Sequence, residues 1–386
     1  MKKFIKILPL TIALTPSLAV AANYAIEARG DAMGGVGVVS ANFLTAPFYN
    51  PALVAIYRRN DDFGMILPSI GISYNDEDKM VDDLDSISSM LDNKNYQDLQ
   101  KTLDNLEGDS LKAEIGGVVA FAIPNQFIAA NLFAKAYTET FATPDIYTGG
   151  STSVENAELS AVNAVSVGVT EIGLSLAKYQ TFLGQHIAFG VTPKLQRIYT
   201  YVYSASVTDY DIKDVRDSSQ GETMFNLDAG ALWFYGPLRI GFSATNLIKR
   251  DINTQSYTKT LTSKTSGQTR DINLGYAYQM HPLYTVGIGL VADYATLSVD
   301  YDLNEEKRYT NFEDNTQMIR IGGEIDILRQ LKLRAGYNKN LAYDNLDGTI
   351  TAGIGISPLN LFQLDLGASY TNENAMGAYI NFLASY

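Results

Sequence analysis

The side chains best suited to catalysis are scarce in this sequence, which has two histidines, His186 and His281, and no cysteine. Disulfides, thiolate metal sites and Cys-x-x-Cys redox chemistry are therefore excluded. Neither histidine stands near a serine in a Gly-x-Ser-x-Gly context, and no His-Glu-x-x-His, P-loop or EF-hand pattern occurs. Each histidine falls at a predicted strand start or kink, which favours a structural role. We predict no enzyme activity, no cofactor and no bound metal.

The remaining chemistry lies in charged residues. A formal net charge of −13 argues against nucleic acid as a partner, because phosphate binding requires clustered lysine and arginine. Charged residues that would share the inward face of predicted strands are Asp228, Asp300, Asp302, Arg320, Glu324, Lys332, Arg334 and Asp365. Inside a barrel such residues either pair with one another or line a wet path. Packing of the lumen is favoured over a selectivity ring, because nothing in the sequence places these charges at one depth.

Segments in which apolar residues occupy every second position must carry these charges. The pattern recurs at 295–303, 319–325, 331–337, 350–356 and 362–370, and it predicts strands with one apolar and one polar face. A soluble β-sandwich also alternates. Three features favour a transmembrane barrel: a secretory signal, unequal connections, and a C-terminal strand that ends on an aromatic residue, as in the assembly signal of outer-membrane barrels. The apolar positions of that strand are Ala378, Ile380, Phe382, Ala384 and Tyr386.

The connections between predicted strands fall into two classes. Short ones lie at 124–126, 179–185, 235–237, 293–294, 328–330 and 357–360, as expected for periplasmic turns. Long polar ones lie at 75–110, 139–161, 204–221, 250–269, 304–315 and 339–347, as expected for extracellular loops. Counting the segments between them predicts about 14 strands. The stretch 271–292 is unusually long and holds His281-Pro282; we favour one kinked strand over two separate strands.

The N-terminus reads as a secretory signal over residues 1–22. Lys2, Lys3 and Lys6 form a basic region, an apolar run follows, and Ala19-Val20-Ala21 provides a small-residue cleavage site. The apolar run is too short to span a bilayer. We therefore predict export to the outer membrane of a Gram-negative bacterium, with the lipid bilayer and lipopolysaccharide as partners.

The first long loop, residues 75–110, differs from the others. Between Asn75 and Asp109 it holds 11 acidic residues and 3 lysines. Apolar residues at helical spacing are Met80, Leu84, Ile87, Leu91, Tyr96, Leu99, Leu103 and Leu106. This pattern predicts an acidic helical hairpin. It is either an amphipathic lid on the barrel mouth or a receptor for cations or a protein partner.

The segment that follows the signal lies outside any strand pattern and is rich in glycine. Gly34, Gly35 and Gly37 permit tight or left-handed backbone, while Asn50-Pro51 is a turn signal. Met33-Gly34-Gly35 and Asn50-Pro51-Ala52 resemble the N-terminal hatch of the FadL-like family of outer-membrane transporters for hydrophobic compounds. Residues 42–47 and Leu53 depart from the usual FadL-like pattern and are more similar to the branch of conjugal transfer protein TraF.

The resemblance implies a hatch over residues 23–60 that plugs a barrel over residues 61–386, in an all-β fold of about 14 antiparallel transmembrane strands. It implies hatch or gate roles for Arg29, Gly30, Asp31, Met33, Gly34, Gly35, Gly37, Asn50, Pro51 and Ala52. One function is to bind or pass hydrophobic compounds such as long-chain fatty acids. The alternative is a surface assembly role with conjugation proteins as partners and without transport.

Overall fold

The computed structural model describes residues 26–57, 63–76, 78–208, 220–254, 256–310, 314–343, 347–358 and 362–385. The predicted signal peptide, residues 1–22, and the terminal aromatic Tyr386 lie outside the described residues. Eighteen strands are described, and fourteen of them form one closed antiparallel barrel. The predicted fold class and strand number are confirmed.

The barrel strands pair in chain order, and the last strand closes on the first. The first seven strands are β1 Gly64–Asn75, β2 Leu111–Ile123, β3 Ala129–Asp145, β4 Ala161–Phe182, β5 Gln185–Ser206, β6 Gln220–Tyr235 and β7 Leu238–Thr245. Four short strands follow outside the barrel: β8 Arg250–Asn253, β9 Tyr257–Thr262, β10 Thr269–Leu274 and β11 Ala277–Met280. The barrel continues with β12 Leu283–Val291, β13 Ala295–Asp302, β14 Met318–Ile327, β15 Leu331–Asn340, β16 Thr349–Ile356, β17 Phe362–Asn372 and β18 Ala375–Ser385.

The alternation of residue types explains why these segments close into a barrel. On β17 the side chains of Phe362, Leu366 and Tyr370 are exposed on the outer wall, whereas Asp365 and Ser369 are buried in the lumen. Closure leaves no unpaired edge, which a strand inside a bilayer requires. Connections at one end of the barrel are short turns and most at the other end are long loops, as the sequence predicts.

The prediction of one kinked strand over 271–292 is wrong. This stretch forms β10, β11 and β12, and only β12 belongs to the barrel. β10 pairs with β9 and β11 pairs with β8, so two hairpins stand outside the barrel. Pro282 has no N–H to donate to a ladder, so β11 ends just before it and β12 starts just after it. The strand number stays even because β11 is not a barrel strand.

Helix α1 is the single turn Ala28–Asp31. The first long loop forms the predicted helical hairpin, with α2 at Met80–Asp92 and α3 at Leu99–Asn105. A shorter helix, Ser153–Leu159, lies in the next long loop and packs near α3. The apolar faces of α2 and α3 pack together over the barrel mouth. Tyr96 is the exception to the predicted apolar face, because 42% of it is exposed in the link between the helices. Within the described ranges, none of the helices is both long and apolar enough to span a membrane.

Candidate functional site

Residues 26–57, which we call the hatch, lie in the lumen at the end of the barrel with the short turns. The hatch contains one helical turn, Ala28–Asp31, and two 3-10 turns, Ala46–Phe48 and Pro51–Ala55. Glu27 caps the helical turn by accepting hydrogen bonds from two backbone amides, and Asn50 caps the last 3-10 turn by accepting from the amide of Ala52. Almost every hatch residue is buried. The hatch therefore folds as a compact insert in which side chains cap the first backbone amides of two turns.

Inward-facing glycines of the barrel provide the surface on which the hatch rests. At each of these positions a Cβ atom would lie within 3.0 Å of a hatch atom: Gly190, Gly230, Gly241, Gly287, Gly289, Gly322, Gly336 and Gly353. Backbone approaches backbone at the paired glycines of β14 and β15, where Met33 of the hatch lies against Gly322 and Gly336. A glycine on every second residue of a strand, as in Gly287 and Gly289, is the sequence signal for such a close approach.

The hatch glycines serve two different purposes. Gly34 and Gly35 adopt positive φ angles of 72° and 83°, so the predicted left-handed backbone is confirmed there. Gly30 and Gly37 instead make room for the ring of Tyr49, since a Cβ atom would lie 1.9 Å from its Oη and 2.1 Å from its Cγ, respectively. Two of the predicted glycines are therefore needed for their positive φ angles, and the other two are needed because the ring of Tyr49 lies against them.

A buried ionic network fixes the hatch to the barrel wall. The guanidinium of Arg29 donates to both carboxylate oxygens of Glu324 at 3.0 and 3.1 Å and to the carbonyl of Ser40 at 2.8 Å. Arg334 bridges Glu324, at 2.6 Å, and Asp365, at 2.7 Å. These charges pair with one another and with the hatch, so they favour the predicted packing role over a selectivity ring.

Backbone groups of the hatch also bond to side chains of β13 and β18, on either side of the strands that hold Arg29. The amides of Gly37 and Val38 donate to Asp300 on β13 at 2.7 and 2.9 Å. The amide of Ala28 donates to Asn381 on β18 at 2.8 Å, and Asn381 donates to Glu27 at 2.9 Å. Asn381 was missed from the sequence, because a single polar residue in a strand carries no signal for its partner.

The structure brings the predicted hatch residues together, although it does not test a gate role for them. Asn50 donates to the carbonyl of Val38 at 2.9 Å, Pro51 and Ala52 lie against Gly190 on β5, and Asp31 lines a lumen chamber. In β18 the predicted assembly positions Ala378, Ile380, Phe382 and Ala384 face outward, between the buried Tyr379, Asn381 and Leu383. Their assembly role stays a prediction.

Two loops close the other end of the barrel, and we call their described residues within 246–282 and 303–317 the cap. The loops join each other where Tyr278 pairs with Tyr309. Apolar cap residues, among them Ile252, Leu261 and Ile272, pack on the inward faces of β4 and β5. This cap was missed, because its short hairpins carry a weaker alternation than the barrel strands.

Arg308 anchors the cap to the wall. It is 1% exposed and donates to Glu139 on β3, which is fully buried. Glu306 lies 3.3 Å from the same guanidinium, and Lys112 lies 3.1 Å from Glu139. The sequence showed Arg308 only as one basic residue in a polar loop. It thus gave no indication of this buried pair.

A polar chamber of about 130 Å³ lies between the hatch and the cap. Its walls carry two ionic groups: Lys194 lies 2.8 Å from Asp228 and 3.4 Å from Glu171, and Arg320 donates to both oxygens of Asp302 at 2.8 and 3.0 Å. The two histidines lie elsewhere, His186 stacked on Tyr179 and Phe234 and His281 beside Asp251.

An apolar groove of about 700 Å³ crosses the outer wall over β1 to β6. Its exposed apolar side chains include Ile70, Val119, Ile172 and Leu195. Lys135, Glu171 and Gln196 line both this groove and the lumen chamber. A single layer of strands therefore separates an apolar outer surface from the chamber.

Strand β1 is irregular where it borders the groove. Its register with both β18 and β2 shifts between Ile66 and Ser69. Pro68 lies in this break and has no N–H for a ladder. The hydroxyl of Ser69 donates to the carbonyl of Ile26, at the start of the described hatch. The break in the wall and the hatch are therefore in direct contact.

The acidic first loop contains a buried carboxyl group with an altered pKa. Burial is the main cause that raises the pKa of Asp109 to about 7, and the nearby carboxylates Asp78, Asp83 and Asp76 contribute to the same rise. Its Oδ2 atom has no hydrogen-bond partner among the described residues. The folded loop therefore holds a proton that the unfolded loop releases near pH 4. Loop stability should be greatest at low pH and should fall as the pH rises from about 4 to about 7.

We expect Asp109→Asn to remove this pH dependence. At about pH 8 the variant loop should resist limited proteolysis better than the parent loop, whereas at about pH 4 the two should be cleaved alike. Asp92→Asn, at the exposed end of α2, removes the same charge and serves as the control. If both variants gained the same resistance to proteolysis at about pH 8, the net charge of the loop, and not Asp109, would govern the stability of the loop.

Comparisons with known proteins bear on the barrel and on the hatch. A family model described as F plasmid transfer operon, TraF, protein matches residues 47–302. The chain is similar in structure to the Ralstonia pickettii toluene transporter TbuX, with 13% identity, a TM-score of 0.56, and coverage of 93% of this chain and 98% of that one. No curated protein sequence matches the chain.

Two further structures are similar. The toluene transporter TodX of P. putida has 11% identity, a TM-score of 0.54, and coverage of 96% of this chain and 99% of that one. A Pseudomonas aeruginosa FadL homologue has 11% identity, a TM-score of 0.53 and the same coverage. At such low identity these likenesses show a shared fold.

Proposed function

The chain belongs to the family of the F plasmid transfer operon protein TraF, and on this premise we propose that it passes hydrophobic compounds, such as long-chain fatty acids, through an outer-membrane barrel. The fold is that of solved toluene transporters and of a FadL homologue. The outward apolar side chains contact the lipid bilayer, and the long loops face lipopolysaccharide. The chemistry is binding and passage without an enzymatic step.

The outer groove is the observation that carries this proposal. It is apolar, it has the volume of a typical ligand pocket, and it lies beside the break in β1 that touches the hatch. The lumen chamber offers no comparable surface, because ion pairs line it and an apolar compound there would remove water from charged groups at a cost. The route for an apolar compound therefore runs through the side wall at β1 to β6.

Uptake of radiolabelled oleate and toluene by a transporter-null Gram-negative strain tests the proposal. Cells that express the chain should accumulate either compound several-fold faster than cells with an empty vector. A heat-dependent shift in gel mobility would establish that the barrel is folded. If cells with the folded barrel at their surface took up oleate and toluene no faster than cells with an empty vector, the proposed passage would be refuted.

Filling the groove should block the same uptake. Ala136 faces outward on β3 and lines the groove, so Ala136→Trp should reduce uptake several-fold while leaving the barrel folded. Ala352 faces outward on β16, away from the groove, and Ala352→Trp is the matched control. Equal uptake by the two variants would exclude the groove from the route.

A second function is favoured by the family itself, whose description names a plasmid transfer operon. The hairpin of α2 and α3 exposes acidic residues above the barrel mouth, among them Asp82 and Asp92, and could hold a conjugation or assembly protein. Purification in mild detergent discriminates between the functions. A stoichiometric protein partner lost on deletion of residues 76–109 supports assembly, whereas co-purified fatty acid supports passage.

A further inference from the structure

We propose that Arg197 makes the outer groove selective for long-chain carboxylates, by binding the carboxylate while the alkyl chain lies along the groove. This inference rests on the proposed passage of hydrophobic compounds through the same groove, and it adds which of those compounds the groove prefers. A neutral compound would occupy the apolar part of the groove alone.

The groove follows two neighbouring rows of outward side chains that cross the wall. The strand pairings place one groove residue of each strand from β1 to β6 in the upper row, in the order Ile70, Gly117, Ala136, Thr170, Arg197 and Thr223. Gly117 and Ala136 are small, and the row beside them holds the exposed Val119, Ile172 and Leu195. From β1 to β5, four strand spacings of about 4.8 Å span about 19 Å, so the apolar part is long enough for an extended alkyl chain.

The outward face of the groove becomes polar towards β5. Thr170 and Thr223 lie directly opposite Arg197 on the two neighbouring strands, and side chains so placed have Cβ atoms about 4.5–5.5 Å apart. The hydroxyl of Thr170 lies 3.4 Å from the carbonyl oxygen of Arg197. The other basic residue of the groove, Lys135, lies 3.5 Å from Glu171 on the lumen side. Arg197 is therefore the cation that a ligand on the outer face meets.

The guanidinium of Arg197 is available to an anion. Arg197 is exposed, and its guanidinium carbon lies 5.1 Å from the centroid of the Tyr199 ring. In the part of the chain that the structure describes, no carboxylate forms an ion pair with it. Stacking on a ring uses the face of the guanidinium and leaves its N–H groups, whose planar fork matches a carboxylate. Tyr199 thus holds the guanidinium in place without occupying its donors.

The level of Arg197 in the wall suits an amphiphile. On the same outward face of β5, the residues towards the short turns are apolar and exposed, among them Val191 and Leu195, whereas Tyr199 follows Arg197 towards the long loops. Arg197 therefore lies at the edge of the apolar band, where the headgroup of a membrane-dissolved carboxylate sits. From there the alkyl chain would extend across the small residues to Pro68, beside the break in β1.

Uptake by the transporter-null strain tests the selectivity, with radiolabelled oleate and oleyl alcohol as probes that share one alkyl chain. Arg197→Met keeps an apolar stem on Tyr199 but removes the charge. It should raise the half-saturating concentration of oleate about tenfold, because paired charge-assisted hydrogen bonds are lost, and should leave that of oleyl alcohol unchanged. Arg197→Lys should recover part of the oleate uptake, since it keeps the charge without the planar fork. Lys339→Met removes an outward charge of β15 outside the groove and should match the parent chain.

The outcomes separate this inference from the proposed passage. An unchanged half-saturating concentration of oleate for folded Arg197→Met would overturn the role of Arg197 and leave the passage standing. A parent chain that takes up neither probe would overturn both. Equal rises for the two probes would show that Arg197 shapes the groove without binding the carboxylate, and would overturn the inference. So would loss of co-purified lipopolysaccharide with oleate uptake unchanged, which assigns Arg197 to a lipid phosphate. Should Arg197→Met fail the heat-shift assay, full oleate uptake by Arg197→Met and Arg197→Lys is replaced as a criterion by the Arg197→Lys result alone, where parent-like uptake would contradict recognition by the planar fork.

Discussion

Gly336→Val is expected to force the hatch from its position and convert the closed barrel into a conducting pore. A Cβ atom at this position would lie 2.2 Å from the carbonyl carbon of Met33 and 2.3 Å from the nitrogen of Gly34. Backbone cannot move aside as a flexible side chain can, and the opposite residue, Gly322, is just as close to Met33. Overpacking of this kind costs about 1–3 kcal/mol or more, which the hatch can avoid by leaving the lumen.

Conductance in planar lipid bilayers measures the result. The parent protein should be closed for most of the time, and Gly336→Val should show a large, steady conductance. Gly323→Val is the matched control, because Gly323 neighbours the outward Leu297 and its nearest atom would be Thr296 O at 3.2 Å. Equal conductance by both variants would show that the hatch accommodates the side chain in place.

Arg308→Met is expected to release the cap from the barrel mouth. The substitution leaves Glu139, which is fully buried, with Lys112 as its remaining cationic partner at 3.1 Å. Breaking a buried ion pair from one side costs about 3–5 kcal/mol, and opening of the cap lowers this cost because it returns Glu139 to water. The cap should open while the barrel, held by its ladders, stays closed on itself.

Limited proteolysis within 303–317 measures cap opening. Cleavage of Arg308→Met should be at least tenfold faster than cleavage of the parent chain, and adding Glu139→Gln should restore part of the protection, because the fully buried carboxylate of Glu139 has then been replaced by a neutral amide. Lys307→Met is the control, since Lys307 is exposed and lies 3.9 Å from Glu305. Cleavage at the same rate in both single variants would refute an anchoring role for Arg308.

The barrel could be predicted because each strand repeats one local rule. Alternation such as Phe362, Leu366 and Tyr370 against Asp365 and Ser369 depends only on neighbours along the chain. The hairpin of α2 and α3 was predictable for the same reason. Parts of the fold that depend on contacts between distant segments were not predictable. The sequence pattern joined residues 271–292 into one strand, although Tyr278 lies in the cap.

The hatch was predicted in part. Its glycine motif and its Asn50-Pro51 turn were visible, and the left-handed Gly34 and Gly35 agree with that motif. The reason for Gly37 was not visible, because Tyr49, whose ring takes its space, lies twelve residues further along the chain and carries no spacing rule. Similarly, inward charges such as Asp300 were recognised, while their hydrogen bonds to the hatch backbone required the fold.

The contact between the hatch and Asn381 orders the events of folding. Ala28 and Asn381 are 353 residues apart in sequence, and Asn381 also contacts Ser69 on the first strand. This contact among three residues lies where the first and last strands pair, so it forms only after the barrel has closed. Contacts of such long sequence separation form late. The docked hatch therefore reports completed closure: a chain that stalls before its final strand lacks Asn381, the partner of Ala28 and Glu27.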